Sequence, residues 1–269
     1  MIIKADLKIL FRSRSWSFLK KYRQKDNLST DYVIFTWKGQ SLYYRPGTSD
    51  PGLIYEILLK SGQKSEYWIP ESVAPQTILD IGANIGVASV YFANVFPSAR
   101  IYSCEPVPNN YALLLKNTEG RKNITSFNIG LSKESGTFKM RASDARANLG
   151  GYSLHNLGVD ESREVEVTIK TPDEFINEIG IDRFDLIKID TEGSEFDIIT
   201  AIDKNILANT TWIIGELHGI RDFELLAYLS DDFYIDVRKT LNKRLFKFNA
   251  CNKKKLQSIN LKRIKYLQY

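Results

Sequence analysis

The sequence predicts an α/β protein built on a doubly wound, mostly parallel sheet, and three observations carry that prediction. From residue 76 onward, short apolar runs alternate with helical segments, as βαβ units require. The central runs TILDI, DLIKI and TWIIGEL are apolar almost throughout, the pattern of strands covered on both faces. A glycine turn, Asp80-Ile81-Gly82-Ala83-Asn84-Ile85-Gly86, falls between the first of these strands and a helix, where open α/β sheets bind their ligands.

Size and composition agree with this class. The chain has 269 residues, 43% hydrophobic and 26% charged, enough for one large α/β domain with an extension and free of the bias that marks disorder or coiled coil. Cys104 and Cys251 are its two cysteines, too few for a disulfide framework and without metal-ligand spacing. A reducing, cytoplasmic setting is therefore expected. In the first fifteen residues the longest apolar run is Ile9-Leu10-Phe11, far below the ~7–15 residues of a signal-peptide core. Nothing is long and apolar enough to span a membrane, and the sequons at Asn123 and Asn209 then read as chance matches.

Three regions are expected. Residues 1–75 form an N-terminal cap, 76–250 the main domain and 251–269 a basic tail. In the cap, Phe11, Trp16, Phe18, Leu19 and Tyr22 lie among cations and predict a short amphipathic helix. VIFTW and SLYYR flank Lys38-Gly39-Gln40 as a hairpin, and LIYEILLK reads as a helix. In the main domain TILDI is followed by a helix from about Ile85, RIYSC by one from about Asn109, then come NITSFNI, FDLIKID with a helix from about Glu195, and TWIIGEL. Residues 130–170 read as an irregular insertion ending in the alternating strand VEVTI, and FYIDV and RLFKF as an antiparallel pair closing the sheet.

The glycine turn is not a dinucleotide fingerprint, because Gly82 and Gly86 are separated by three residues with no further glycine for a pyrophosphate to approach. Asp80 precedes the turn, which suits a ligand bearing an ammonium group, such as the amino-acid end of S-adenosylmethionine. Glu105 ends the next strand, where a carboxylate can accept both hydroxyls of a ribose, and Asn128, after a third strand, is placed on the adenine side.

In these segments the chain resembles the FkbM family of methyltransferases. The resemblance covers roughly residues 76–240 and rests on LDIGANIGVASVYFA, CEPVPNNYALLLKN, FNIGLSKESGTF, TPDEF with IDRFDLIKIDTEGSEFDII, and IIGELH in that order. It implies a seven-stranded sheet of the class I methyltransferase type, mostly parallel with an antiparallel C-terminal hairpin. It also implies methyl transfer from S-adenosylmethionine to oxygen, on a sugar, glycolipid or other natural product. Asp80, Gly82, Asn84, Gly86, Glu105 and Asn128 are then the expected cofactor residues.

An alcohol acceptor needs a base to remove its proton or a metal to lower its pKa. Asp190, Glu216 and His218 follow strands of the required type, and Glu216 and His218 share a strand face. They are candidates either for a divalent-cation site or for a His218 base oriented by a carboxylate, and the sequence leaves both open. Lys188 reads as a buried ion-pair partner beneath the crevice, Glu192 as part of a helix start, and His155 as near the acceptor at most.

Two other classes were weighed. A nicotinamide-dependent oxidoreductase or epimerase would want the phosphate-binding glycines and a Tyr-x-x-x-Lys pair, and both are absent from the sequence. A non-catalytic membrane- or nucleic-acid-binding protein would use the basic ends, but the acidic crevice motif speaks against it, and KIDTEG is no amide-activating loop for a base. The net charge of +5 is gathered at the ends, with Lys8, Arg12, Arg14, Lys20, Lys21, Arg23 and Lys25 around Phe11, Trp16 and Phe18. That mixture predicts contact with an anionic membrane face or a lipid-linked glycan.

Overall fold

The computed structural model describes residues 4–24, 31–143, 152–153, 159–218, 221–239 and 246–255. Two helices open it, α1 (Lys4–Ser13) and α2 (Trp16–Arg23), where the sequence predicts one. Arg14 interrupts the run with φ at 51°, and Ser15 restarts it by accepting the Phe18 N–H at 3.1 Å. Strands β1 (Val33–Trp37) and β2 (Gln40–Tyr44) form the expected hairpin. Its two turn residues, Lys38 and Gly39, have φ of 49° and 78°, the left-handed pair that matches strand twist. Helix α3 (Asp50–Leu53) runs straight into a π-helical turn at Ile54–Leu59.

The main unit begins with β3 (Thr77–Ile81), α4 (Val87–Val95), β4 (Arg100–Cys104), α5 (Pro108–Thr118) and β5 (Ile124–Phe127). Next come β6 (Gly130–Leu131), β7 (Gly136–Ser143), β8 (Tyr152–Ser153) and β9 (Val159–Lys170), which make a separate four-stranded sheet in the order β6-β9-β7-β8. This corrects the expectation of an irregular insertion. The partner of VEVTI is GTFKMRAS, whose Phe138, Met140 and Ala142 alternate with Lys139 and Arg141, and the pair buries Met140, Val167 and Ile169 together. The chain continues through α6 (Pro172–Ile179), β10 (Leu186–Ile189), α7 (Glu195–Ala201), α8 (Lys204–Asn209), β11 (Trp212–Leu217), α9 (Asp222–Ser230), β12 (Phe233–Lys239) and β13 (Phe246–Asn252). β13 thus passes the tail boundary expected at 250, and residues 256–269 lie outside the described residues.

The seven-stranded sheet has the order β12-β13-β11-β10-β3-β4-β5. β5, β4, β3, β10 and β11 run parallel, and β13 is antiparallel to both β11 and β12. Every residue of β3, β10 and β11 is buried, which is why those runs are apolar. On one face Ile78, Phe92 and Trp212 pack with Phe18, Leu42 and Ile54 of the N-terminal region; on the other, Leu79, Ile187 and Phe248 pack with Phe175 and Phe184. The strand order reverses at β3, between β4 and β10, and the carboxyl ends there open the ligand crevice.

Candidate cofactor and acceptor site

At those carboxyl ends lies a cavity of about 340 Å³. One end is walled by Gly82, Asn84, Glu105 and Val107, the other by Asp190, Glu216 and His218, and Leu53 and Tyr67 of the N-terminal region also line it.

The glycine turn holds the first end close to the sheet. Gly82 has φ of 73°, and a Cβ on it would lie 1.9 Å from the Asp190 carbonyl oxygen. Asn84 also takes a left-handed conformation, φ 51°, and its buried Oδ1 has no hydrogen-bond partner. The backbone N–H of Asn84 donates to Glu105 Oε2 at 2.8 Å, while Val107 N–H donates to Glu105 Oε1 at 2.9 Å. Glu105 thereby ties the loops after β3 and β4 together, and burial pushes its carboxyl up to about 7 in spite of those two donors.

Three expected cofactor residues, Asp80, Asn128 and Gly86, do not line the cavity. Asp80 is fully buried and does not line the cavity; Ser89 Oγ donates to it at 2.6 Å and Lys188 Nζ stands 3.1 Å away. Lys188 also donates to the Gly82 carbonyl at 2.6 Å, so the pair fastens the glycine turn from below, as the reading of Lys188 anticipated. Asn128 is exposed, outside the cavity lining, and its amide donates to the carbonyls of Glu105 and Pro106 at 2.9 and 3.0 Å. It secures the loop after β4. Gly86 likewise acts in packing: a Cβ there would sit 2.7 Å from Leu114 Cδ1.

At the other end the structure brings Asp190, Glu216 and His218 together. His218 Nε2 lies 3.3 Å from Glu216 Oε2 and 3.8 Å from Asp190 Oδ1, and Nδ1 lies 3.2 Å from Glu195 Oε1. Burial disfavours the imidazolium, but hydrogen bonds to Glu195 and Glu216 and the charge of Asp190 outweigh it and raise His218 to about 12. The surrounding carboxylates thus favour the imidazolium. Glu192 lines the same wall, and burial pushes its carboxyl up to about 7. Its neighbour Glu195 starts α7 with both oxygens accepting backbone N–H groups, from Thr191 and Gly193, at 3.0 Å each. His155 lies outside the described residues.

Several residues here escape a sequence reading. Tyr67 donates its hydroxyl to Asp190 Oδ2 at 2.8 Å, across 123 positions of chain. Lys247 on β13 bonds Glu66 and stands 3.3 Å from Glu216 Oε1. The strand register pairs Glu216 with Lys247, which is the one signal that a correct pairing of β11 with β13 supplies in advance. Tyr67 and Glu66 sit in an irregular segment with no periodicity to announce them.

The model of the methyltransferase FkbM domain matches residues 80–248, more than half of the chain. The chain belongs to the FkbM methyltransferase family. Among relatives, it is 31% identical to the AMB antimetabolite synthetase AmbE of Pseudomonas aeruginosa over 54% of this chain, a stretch that makes up 8% of that protein. It is 26% identical to methyltransferase sdnD of Sordaria araneosa over 57% of this chain and 71% of the relative. It is also 26% identical to the 2-O-methyltransferase NoeI of Sinorhizobium fredii over 52% of this chain and 62% of the relative. The FkbM match runs from within β3 to within β13, so it includes both ends of the cavity.

Proposed function

We infer that this chain transfers a methyl group from S-adenosylmethionine to a hydroxyl oxygen of a sugar, glycolipid or related natural product. The observation that carries this reading is the single cavity joining Asn84 and Glu105 to Asp190, Glu216 and His218. Family membership supports the methyl transfer, and the name of NoeI supports oxygen as acceptor atom. Asn84 Oδ1 receives the cofactor's ammonium group, and Glu105, whose oxygens have lone pairs left, receives the ribose hydroxyls.

Transfer requires the acceptor oxygen in line with the sulfonium methyl. The hydroxyl proton passes to the Glu192 carboxylate as the new O–CH3 bond forms. The S–CH3 bond breaks and its electron pair stays on sulfur, leaving S-adenosylhomocysteine. His218, between Glu195 and Glu216, positions Glu216 and Asp190 beside the acceptor. Residues 1–75, as a cap, contribute Leu53 and Tyr67 to a roof that excludes water from the reaction. The test is methylation of a panel of hydroxylated glycosides, read by mass spectrometry. Methylated nitrogen or carbon in place of oxygen would overturn the reading.

We infer further that α1 and α2 contact an anionic surface bearing a lipid-linked acceptor. Leu7 and Phe11, one turn apart on α1, are 55% and 84% exposed and Trp16 is 62% exposed, with Lys8, Lys20 and Lys21 nearby in sequence. No helix among the described residues is long and apolar enough to cross a membrane, so attachment would be peripheral. Co-sedimentation with anionic vesicles at low salt, lost in a Leu7→Ser/Phe11→Ser/Trp16→Ser variant, is the expected result; indifference of the wild type to such vesicles removes this contact.

A further inference from the structure

At the acceptor end, one ligand-type atom from each of Asp190, Glu216 and His218 lies within 4.8 Å of the other two, with His218 Nε2 3.8 Å from Asp190 Oδ1 and 3.3 Å from Glu216 Oε2. Atoms bound to one divalent ion at ~2.1–2.4 Å stand ~3.0–3.4 Å apart when adjacent and ~4.2–4.8 Å apart when opposite, so this spacing fits a single ion with little movement. All three residues line the cavity, which leaves the ion's remaining positions facing the space where an acceptor would sit.

The other polar atom of each residue is held by a different element. Asp190 Oδ2 accepts from Tyr67 Oη at 2.8 Å, and Glu216 Oε1 faces Lys247 Nζ at 3.3 Å. His218 Nδ1 faces Glu195 Oε1 at 3.2 Å. Because Glu195 already accepts N–H groups from Thr191 and Gly193, it is fixed as an acceptor and Nδ1 must be the donor. Nε2 is then the nitrogen that faces Asp190 and Glu216, and a cation bound there would displace the Nε2 proton, the carboxylate-histidine arrangement that orients a metal-binding imidazole. Around the trio the cavity wall also carries Glu56, Glu66, Glu105 and Glu192, of which Glu56 is paired with Lys60 and Glu66 with Lys247.

We propose that Asp190, Glu216 and His218 hold one divalent cation of the magnesium or manganese class, and that this ion grips an acceptor presenting two adjacent oxygens, such as a vicinal diol of a sugar. Two carboxylates and one imidazole are the donor set for such an ion rather than for a thiol-seeking one. Bidentate capture would fix which hydroxyl faces the sulfonium methyl, and the ion would supply the Lewis acidity that lowers the pKa of that hydroxyl. The acceptor class rests on the O-methylation reading above; the ion site does not.

The test uses the full chain and manganese(II) alone, followed by electron paramagnetic resonance as free Mn²⁺ disappears on titration. One ion per chain is expected, with binding at least tenfold weaker in Glu216→Gln and in His218→Ala. S-adenosylmethionine binding, measured by calorimetry in chelator, should stay within twofold of wild type in both variants, which shows that they are folded and that the cofactor end is intact. Manganese binding of equal strength in wild type and both variants means adventitious surface sites and overturns the proposal, as does the absence of binding at millimolar manganese. Loss of cofactor binding in the wild type would instead strike the proposed function, so the two failures are distinguishable.

Discussion

Glu105 offers a quantitative test because its two tasks conflict. Its carboxyl is buried where folding takes it out of water, and its pKa rises from 4.5 to about 7. Such a rise corresponds to about 3 kcal/mol by which the folded state prefers the protonated form relative to the unfolded chain. Below pH 4.5 both states hold the proton and this contribution to stability is fully present. Between 4.5 and 7 the unfolded chain sheds the proton while the folded one keeps it, so stability falls as pH rises, and above 7 the loss is complete. About 2.5 kcal/mol of the change falls between pH 5 and pH 8.5. Urea unfolding of the cofactor-free protein across that range should therefore show a decline that is steeper in wild type than in Glu105→Gln by about that amount. The glutamine presents an amide to one of the Asn84 and Val107 N–H donors, which costs about 1–3 kcal/mol at every pH but leaves the slope untouched. Ribose hydroxyls donating to the carboxylate favour its charged form, so saturating S-adenosylmethionine should flatten the wild-type decline. Parallel pH profiles for wild type and Glu105→Gln would refute the burial argument, and a wild-type profile unmoved by cofactor would refute the ribose contact.

Other perturbations follow from the same geometry. Gly82→Ala drives a Cβ to 1.9 Å from the Asp190 carbonyl at a φ of 73°, so it should lose cofactor binding and several degrees of Tm, read by calorimetry and thermal melting; a normal variant would mean that the turn is free to move. Lys188→Met strands the buried Asp80 carboxylate and should cost about 3–5 kcal/mol in urea unfolding, with Asp80→Asn/Lys188→Met recovering part of it. If the double variant is no more stable than the single one, the two groups are not coupled. Tyr67→Phe removes one hydrogen bond to Asp190, worth about 1 kcal/mol of stability, and should lower turnover at least tenfold with cofactor affinity unchanged. An unaltered turnover number would make Tyr67 a packing residue only.

The sheet was legible in the sequence because its strands obey one rule. A strand buried on both faces has no polar position to spare, so TILDI, LIKI and WIIGEL stand out without any partner being known. The small sheet was legible in both strands: VEVTI alternates, and so does GTFKMRAS, whose Lys139 and Arg141 pair with Glu164 across the strands, but intervening residues 144–164 separate the two and hide their pairing. At the site, Glu105 and the trio Asp190, Glu216 and His218 were visible because strand ends in this fold converge on one crevice. Which way a strand-end carboxylate points was not. Asp80 turns inward to Lys188, and Glu105, one residue beyond the end of β4, turns to the cavity. His218 shows the same limit: its spacing from Glu216 announces a shared face, whereas the third carboxylate that holds its proton, Glu195, comes from the start of α7 and is recognisable only in three dimensions.

The measurement that bears most directly on the central claim is calorimetric titration of S-adenosylmethionine into the full chain, in parallel with Glu105→Ala. We expect one site per chain and a loss of roughly ten- to a hundredfold in affinity on removing the carboxylate, the value of a charge-assisted bond at about 1.5–3 kcal/mol. Absence of binding by the folded wild-type protein, or equal affinity in the two proteins, would contradict the account.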